Sequence, residues 1–216
     1  AGLVGSGRTE LMNCLFGVDK RAGGEIRLNG KDISPRSPLD AVKKGMAYIT
    51  ESRRDNGFFP NFSIAQNIAI SRSLKDGGYK GAMGLFHEVD EQRTAEAQRE
   101  LLALKCHSVN QNITELSGGN QQKVLISKWL CCHPEVIIFD EPTRGIDVGA
   151  KAEIYKVMRQ LADDGKVILM VSSELPEIIT VCDRIAVFCE GRLTQILTNR
   201  DDMSEEEIMA WALPHE

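Results

Sequence analysis

No run of apolar residues in these 216 positions approaches the ~20 that a helix needs to cross a bilayer. None of the six cysteines (Cys14, Cys106, Cys131, Cys132, Cys182, Cys189) stands in a CxxC pair or a framework spacing. That argues against a zinc ribbon or a disulfide scaffold and leaves free thiols in a reducing compartment as the expectation. Basic excess is missing as well. The formal net charge is −5, whereas non-specific nucleic-acid binding uses a positive surface. There are no internal repeats, no long low-complexity tracts, and no charged leader with an apolar core at the start. What remains is enough chain for one domain with a real core, or one domain carrying an inserted lobe, expected in the cytosol.

Two stretches carry the chemistry. The first is Leu116-Ser117-Gly118-Gly119-Asn120-Gln121-Gln122-Lys123, in which a serine and two glycines open a helix-length segment. A helix N-terminus rich in glycine offers a pocket of main-chain N–H groups that favours phosphate. The second is Val136-Ile137-Ile138-Phe139-Asp140-Glu141-Pro142-Thr143, an apolar strand ending on two carboxylates. Oxygen ligands there suit Mg²⁺ and a water held beside a phosphate. A third stretch, Ala1-Gly2-Leu3-Val4-Gly5-Ser6-Gly7-Arg8-Thr9, fits a phosphate-binding loop with arginine where lysine normally stands. Leu11/Leu15 and Met12/Phe16 then predict a helix that Gly17 stops. A strand should precede such a loop, so the chain is expected to be a fragment and to be poorly stable alone, with strand edges left unpaired.

The rest reads as alternating α and β with one long helical insertion. Strands are predicted over 25–28 (running into the Asn29-Gly30 turn) and 46–49, and the apolar runs 136–139, 167–171 and 185–188 predict parallel strands covered on both faces. Ile154, Val157, Met158 and Leu161 mark one helix face ending at Gly165. Helical patterns cover 64–73 and 88–104, and the helix after the glycine pair stops at Pro134. Gly77, Gly78, Gly81 and Gly84 suggest a flexible loop within that lobe. Ser204 with Glu207 forms a capping box for a terminal helix.

In this order the motifs resemble the signature and Walker B motifs of ATP-binding-cassette (ABC) ATPases. With Asp140-Glu141-Pro142-Thr143-Arg144-Gly145-Ile146-Asp147-Val148-Gly149-Ala150-Lys151, the chain is similar to the C-terminal cassette of the double-cassette ATPases of bacterial monosaccharide importers. The resemblance implies an α/β P-loop NTPase fold, with a RecA-like core over 1–62 and 133–216 and a helical subdomain over 63–132. It implies ATP and Mg²⁺ as cofactors. Nucleotide contacts fall to Gly2, Gly5, Ser6, Gly7, Arg8 and Thr9, and, across a dimer, to Ser117, Gly118, Gly119, Asn120, Gln121 and Asp147. Thr9, Asp140 and Glu51 are the expected metal positions, Glu141 is the expected base, and Ser173 stands at the switch position. Implied partners are a first cassette, sugar permease subunits and, indirectly, a periplasmic sugar-binding protein, at the cytoplasmic face of the membrane.

Departures from the family pattern fall on one side. Arg8 is a planar fork in place of a compact ammonium. Glu51 replaces a glutamine that senses metal and water; it can ligate a metal, or equally form a surface pair with Arg53 or Arg54. Ser173 replaces a histidine and reads either as a switch residue or as a helix N-cap. The site built on residues 2–9 is therefore expected to bind ATP and hydrolyse it poorly, while the intact signature completes a working site on the other cassette. A catalytically silent nucleotide-binding scaffold is the alternative. Chromosome-maintenance and ribosome-associated ABC ATPases are more distant, since no long coiled coil or basic linker is present.

Overall fold

The computed structural model describes residues 1–76 and 88–214, so the glycine-rich loop expected at 77–84 lies outside the described residues. The central sheet is parallel, in the order β3 (Met46–Ile49), β4 (Val136–Asp140), β5 (Val167–Val171). All residues of β3 and β4 are buried, as their unbroken apolar runs require in the middle of a covered sheet. β4 delivers Asp140 to the carboxyl end of the sheet, the end at which open α/β sheets build their sites.

Two expectations about strands are corrected. β5 is not covered on both faces: Val167 is 44% exposed, and only Val171 is fully buried. It pairs with β4 along one edge and with no other strand among the described residues. The run Ile185 to Phe188 belongs to β6 (Arg184–Cys189), which pairs antiparallel with β7 (Arg192–Thr198) instead of joining the parallel sheet. The Glu190-Gly191 turn supplies the reason. Both residues have positive φ (48° and 76°), the geometry of a two-residue hairpin. A smaller hairpin pairs β1 (Arg27–Leu28) with β2 (Lys31–Asp32) around the Asn29-Gly30 turn.

Helices fill the rest. α1 (Arg8–Phe16) follows the phosphate loop and ends at Gly17, φ 77°. α2 (Pro38–Lys43) is capped by Ser37. α3 (Ile64–Asp76), α4 (Glu88–Leu101) and α5 (Gly118–Leu130) form the helical lobe. Ile64, Ile68, Ala95, Ile113, Val124 and Leu125 build its core, together with Phe58 from before α3. α5 serves two cores, because its Ile126 packs under the sheet with Phe139 and Met158. α6 (Val148–Asp163) buries Ile154, Met158 and Leu161 against that same face. α7 (Leu175–Val181) and α8 (Glu205–Ala212) complete the chain, with Ser204 accepting from the Glu207 N–H at 3.2 Å.

Candidate functional site

A cleft of about 320 Å³ opens at the carboxyl end of β3 and β4. The phosphate loop from Val4 to Thr9 lines it, with Glu51, Glu141, Arg144 and Ser173 opposite. A larger trough of about 500 Å³ lies between α7 and α8. It is rimmed by Glu205 and Glu206 and has none of the phosphate-binding features, so the smaller cleft is the candidate site.

The loop is anchored before it turns. Gly2 bridges to Phe188 in parallel fashion, and the Gly191 N–H donates to the Ser6 carbonyl at 3.0 Å. Gly7 has φ 92°, and a Cβ on it would stand 3.1 Å from Gly191 Cα; strain and contact together favour glycine at this helix entry. The first-turn N–H groups of α1 thus face the cleft without intrahelical partners. Ser6 Oγ is buried and has no hydrogen-bond partner among the described residues, an orphan that a phosphate oxygen would satisfy. Arg8 behaves unlike a free phosphate-loop lysine. It is 8% exposed, and its Nη1 donates to the Ser172 carbonyl at 2.6 Å.

Asp140 is 1% exposed. Burial pushes its carboxyl pKa up, and hydrogen bonds from Tyr48 and Thr9 partly oppose that. Thr9 Oγ1 donates at 3.3 Å, and the Tyr48 hydroxyl donates at 2.9 Å while lying 3.1 Å from Asn13 Oδ1. Thr9 and Asp140 thus share one oxygen-rich spot that suits a hard divalent cation completed by phosphate oxygens. Tyr48 was not foreseen as a site residue; an aromatic in a buried strand gives no sign that its hydroxyl reaches the aspartate.

Glu141 follows in a left-handed conformation, φ 48°, unusual for a side chain and typical of strained functional turns. Its carboxylate accepts from Ser173 Oγ at 3.1 Å. The N-cap reading of Ser173 is corrected here: Glu174 holds the N-cap position of α7 without a side-chain cap bond, its N–H donates to Ser172 Oγ, and the Ser173 hydroxyl turns to Glu141. Glu51 is corrected too. Its carboxylate pairs with Arg144 and not with Arg53 or Arg54 among the described residues, and it lines the same cleft as Thr9.

The signature residues lie elsewhere: neither Ser117 to Gln121 nor Asp147 lines the cleft. Ser117 is exposed at the start of α5, and its Oγ accepts from Asn120 Nδ2 at 3.0 Å. Gly119 is where α5 crosses α6, and a Cβ there would fall 2.5 Å from Ala150 Cβ. Gln121 departs from the expected ligand role. It is 7% exposed, and its amide donates inward to the Ile113 and Leu116 carbonyls, so its side chain holds the preceding loop. Asp147 caps α6 through the Ala150 N–H at 2.9 Å.

Behind the cleft lies a buried hub that sequence reasoning missed. Glu177 accepts from Thr143, from Ser172 Oγ at 2.8 Å, from Tyr155 at 2.7 Å and from Lys151 at 2.9 Å. Burial alone would raise its pKa, but these hydrogen bonds outweigh it and hold the carboxyl below the usual range. The hub ties the turn after β4 to the turn after β5.

Comparison with known proteins agrees with this geometry. The ABC transporter family model matches residues 1–144. The chain is 98% identical over all of its 216 residues to the D-allose import ATP-binding protein AlsA of Escherichia coli K12, of which it covers 42%. It is 45% identical over 98% of its length to the ribose import ATP-binding protein RbsA of Bacillus cereus, again covering 42% of that protein. The chain therefore spans well under half of the curated relatives it matches. Among solved structures, an ATP-binding cassette of an ABC transporter superposes with a TM-score of 0.78 at 22% identity, covering 99% of this chain and 86% of that one. A dimeric cassette in a post-hydrolysis state bound to ADP and Pi gives 0.75 at 22% identity, covering 92% and 83%. Phosphate loop, buried strand-end aspartate and fold together place this chain in the ABC transporter family.

Proposed function

We propose that this chain is one ATP-binding cassette of a monosaccharide importer, working on the cytoplasmic face of the membrane beside a first cassette and sugar permease subunits. The names of its relatives point to import of D-allose or ribose, with allose favoured by the 98% identity. In this reading Gly2, Gly5, Ser6, Gly7, Arg8 and Thr9 cradle the phosphates of ATP. Thr9 and Asp140 hold Mg²⁺, which when bound neutralises phosphate charge. Glu141 orients the attacking water and is itself oriented by Ser173.

The finer claim concerns which site turns over. Arg8 is drawn to the Ser172 carbonyl, Glu51 is occupied by Arg144, and a serine stands at the switch position. The site on this phosphate loop is therefore a binding site with poor hydrolysis. Ser117 is exposed, and it lies with Gly118 and Gly119 at the head of α5 away from this cleft, placed to complete a partner's site in trans, with Asn120 and Gln121 supporting them and the Asp147 loop crossing the same interface. The observation that carries this reading is the exposed Ser117 at the head of α5, outside the chain's own cleft. If the partner site is also inactive, the chain is a nucleotide-binding scaffold instead.

Steady-state ATP hydrolysis by this chain, alone and mixed with the separately expressed first cassette, tests the proposal. Turnover only in the mixture, lost on Ser117→Ala, supports it. Turnover by the chain alone contradicts it.

A further inference from the structure

Immediately after Glu51 the main chain forms a single wide π-helical turn, Arg53–Gly57, a rare geometry often found at functional positions. This turn is fastened to α5 at its far end. A Cβ on Gly57 would come within 2.9 Å of Leu125 Cδ1, and the buried Lys128 ammonium donates to the Gly57 carbonyl. At its near end Arg53 reaches out as a fork. Nη1 donates to the Arg144 carbonyl at 3.1 Å and Nη2 to the Gly145 carbonyl at 3.3 Å. The same guanidinium lies against the signature, because a Cβ on Gly118 would be 3.4 Å from Nη2 and 3.3 Å from the Gly145 carbonyl oxygen. Glu51, two residues earlier, pairs with the Arg144 side chain. One short segment therefore grips residue 144 by its side chain and by its main chain, and fills the space between that loop and the head of α5.

We propose that Arg53 is the positioning residue that sets the signature pocket this chain offers to the partner's phosphate loop. The inference rests on the composite-site reading above. Two features single out Arg53 over an ordinary surface arginine. Its charge goes to main-chain carbonyls that belong to a loop, where a planar fork holds two oxygens at a fixed spacing and direction that a compact ammonium on a flexible stem does not impose. Its base is held through Gly57 and Lys128 to α5, the helix whose N-terminus is the pocket. Movement of the helical lobe is thereby passed to Gly118 and to Gly145 together, keeping the spacing between signature and crossing loop constant.

The test uses the full two-cassette polypeptide and reads ATP turnover, MgADP affinity and the melting temperature. Arg53→Ala is expected to lower kcat at least about tenfold with MgADP affinity and melting temperature unchanged, since ADP held on a phosphate loop does not need the signature. Arg53→Lys is expected to lose nearly as much, because it keeps the charge and loses the fork. Turnover within about twofold of wild type in both variants, while Ser117→Ala abolishes it, overturns the role of Arg53 and leaves the composite site standing. A loss matched by falls in MgADP affinity and melting temperature shows a folding role and also overturns it. If Ser117→Ala itself leaves turnover unchanged, the composite reading fails and the inference falls with it.

Discussion

Ser173 Oγ donates to the Glu141 carboxylate at 3.1 Å, joining the turn after β5 to the turn after β4 across the cleft. The contact holds the carboxylate that would orient water, but a serine brings neither a positive charge nor a second ring nitrogen to the phosphate. Arg8 sits on the other side of the same turn, on the Ser172 carbonyl. Two of the altered positions, Arg8 and Ser173, thus meet at one turn.

Because they are connected, repairing one should achieve little. In a two-cassette polypeptide whose partner site is silenced by Ser117→Ala, Arg8→Lys is expected to change the residual turnover by no more than about twofold. Single-turnover ATP hydrolysis measures it.

Gly119 offers a packing test. With a Cβ 2.5 Å from Ala150 Cβ, Gly119→Ala should force α5 away from α6 and cost about 1–3 kcal/mol. Chemical denaturation of the variant checks the cost. The companion change Ala150→Gly in the Gly119→Ala background should recover much of it.

Glu177 predicts an acid limb. Its folded pKa lies below the ordinary carboxylate value, so its stabilisation is present at neutral pH and is lost as pH falls through the folded value. Removing it by Glu177→Ala takes the acceptor from Thr143, Tyr155 and Ser172, while Lys151 keeps Glu174, and should cost about 1–3 kcal/mol. In Glu177→Gln the loss of stability below the ordinary 4.5 should be visibly shallower than in wild type, as read by unfolding curves across the acid range.

Lys128 predicts the opposite limb. Burial pushes its ammonium pKa down to about 8, so above that value the folded chain carries fewer protons than the unfolded chain. Stability should therefore rise with pH between about 8 and the ordinary 10.5. Lys128→Met should flatten that rise relative to wild type, and unfolding midpoints at stepped alkaline pH would show it.

Local signals were the legible ones. Phosphate-loop glycines, the Gly17 stop, the buried runs of β3 and β4 and the Ser204 cap each depend on neighbours within a few residues, and each is read directly from spacing. β7 is hard to read because its residues alternate between apolar and polar only weakly, and the apolar run of its partner β6 reads equally well as a parallel strand. Contacts joining distant segments were out of reach. Arg53 and Arg54 adjoin Glu51 in sequence, yet the wide turn carries Arg53 to residues 144 and 145, and Glu51 meets Arg144 instead. Nothing in Leu175-Pro176-Glu177 announces a carboxylate with partners on three other elements, and nothing in Met46–Ile49 announces a tyrosine on Asp140.

The central claim is an asymmetry: this chain contributes its signature to hydrolysis, and its own phosphate-loop site contributes little. Steady-state ATP turnover of the two-cassette polypeptide carrying either Ser117→Ala or Glu141→Gln tests it most directly. The account predicts that Ser117→Ala abolishes turnover while Glu141→Gln keeps most of it. Loss of turnover in Glu141→Gln, with Ser117→Ala still active, would contradict it.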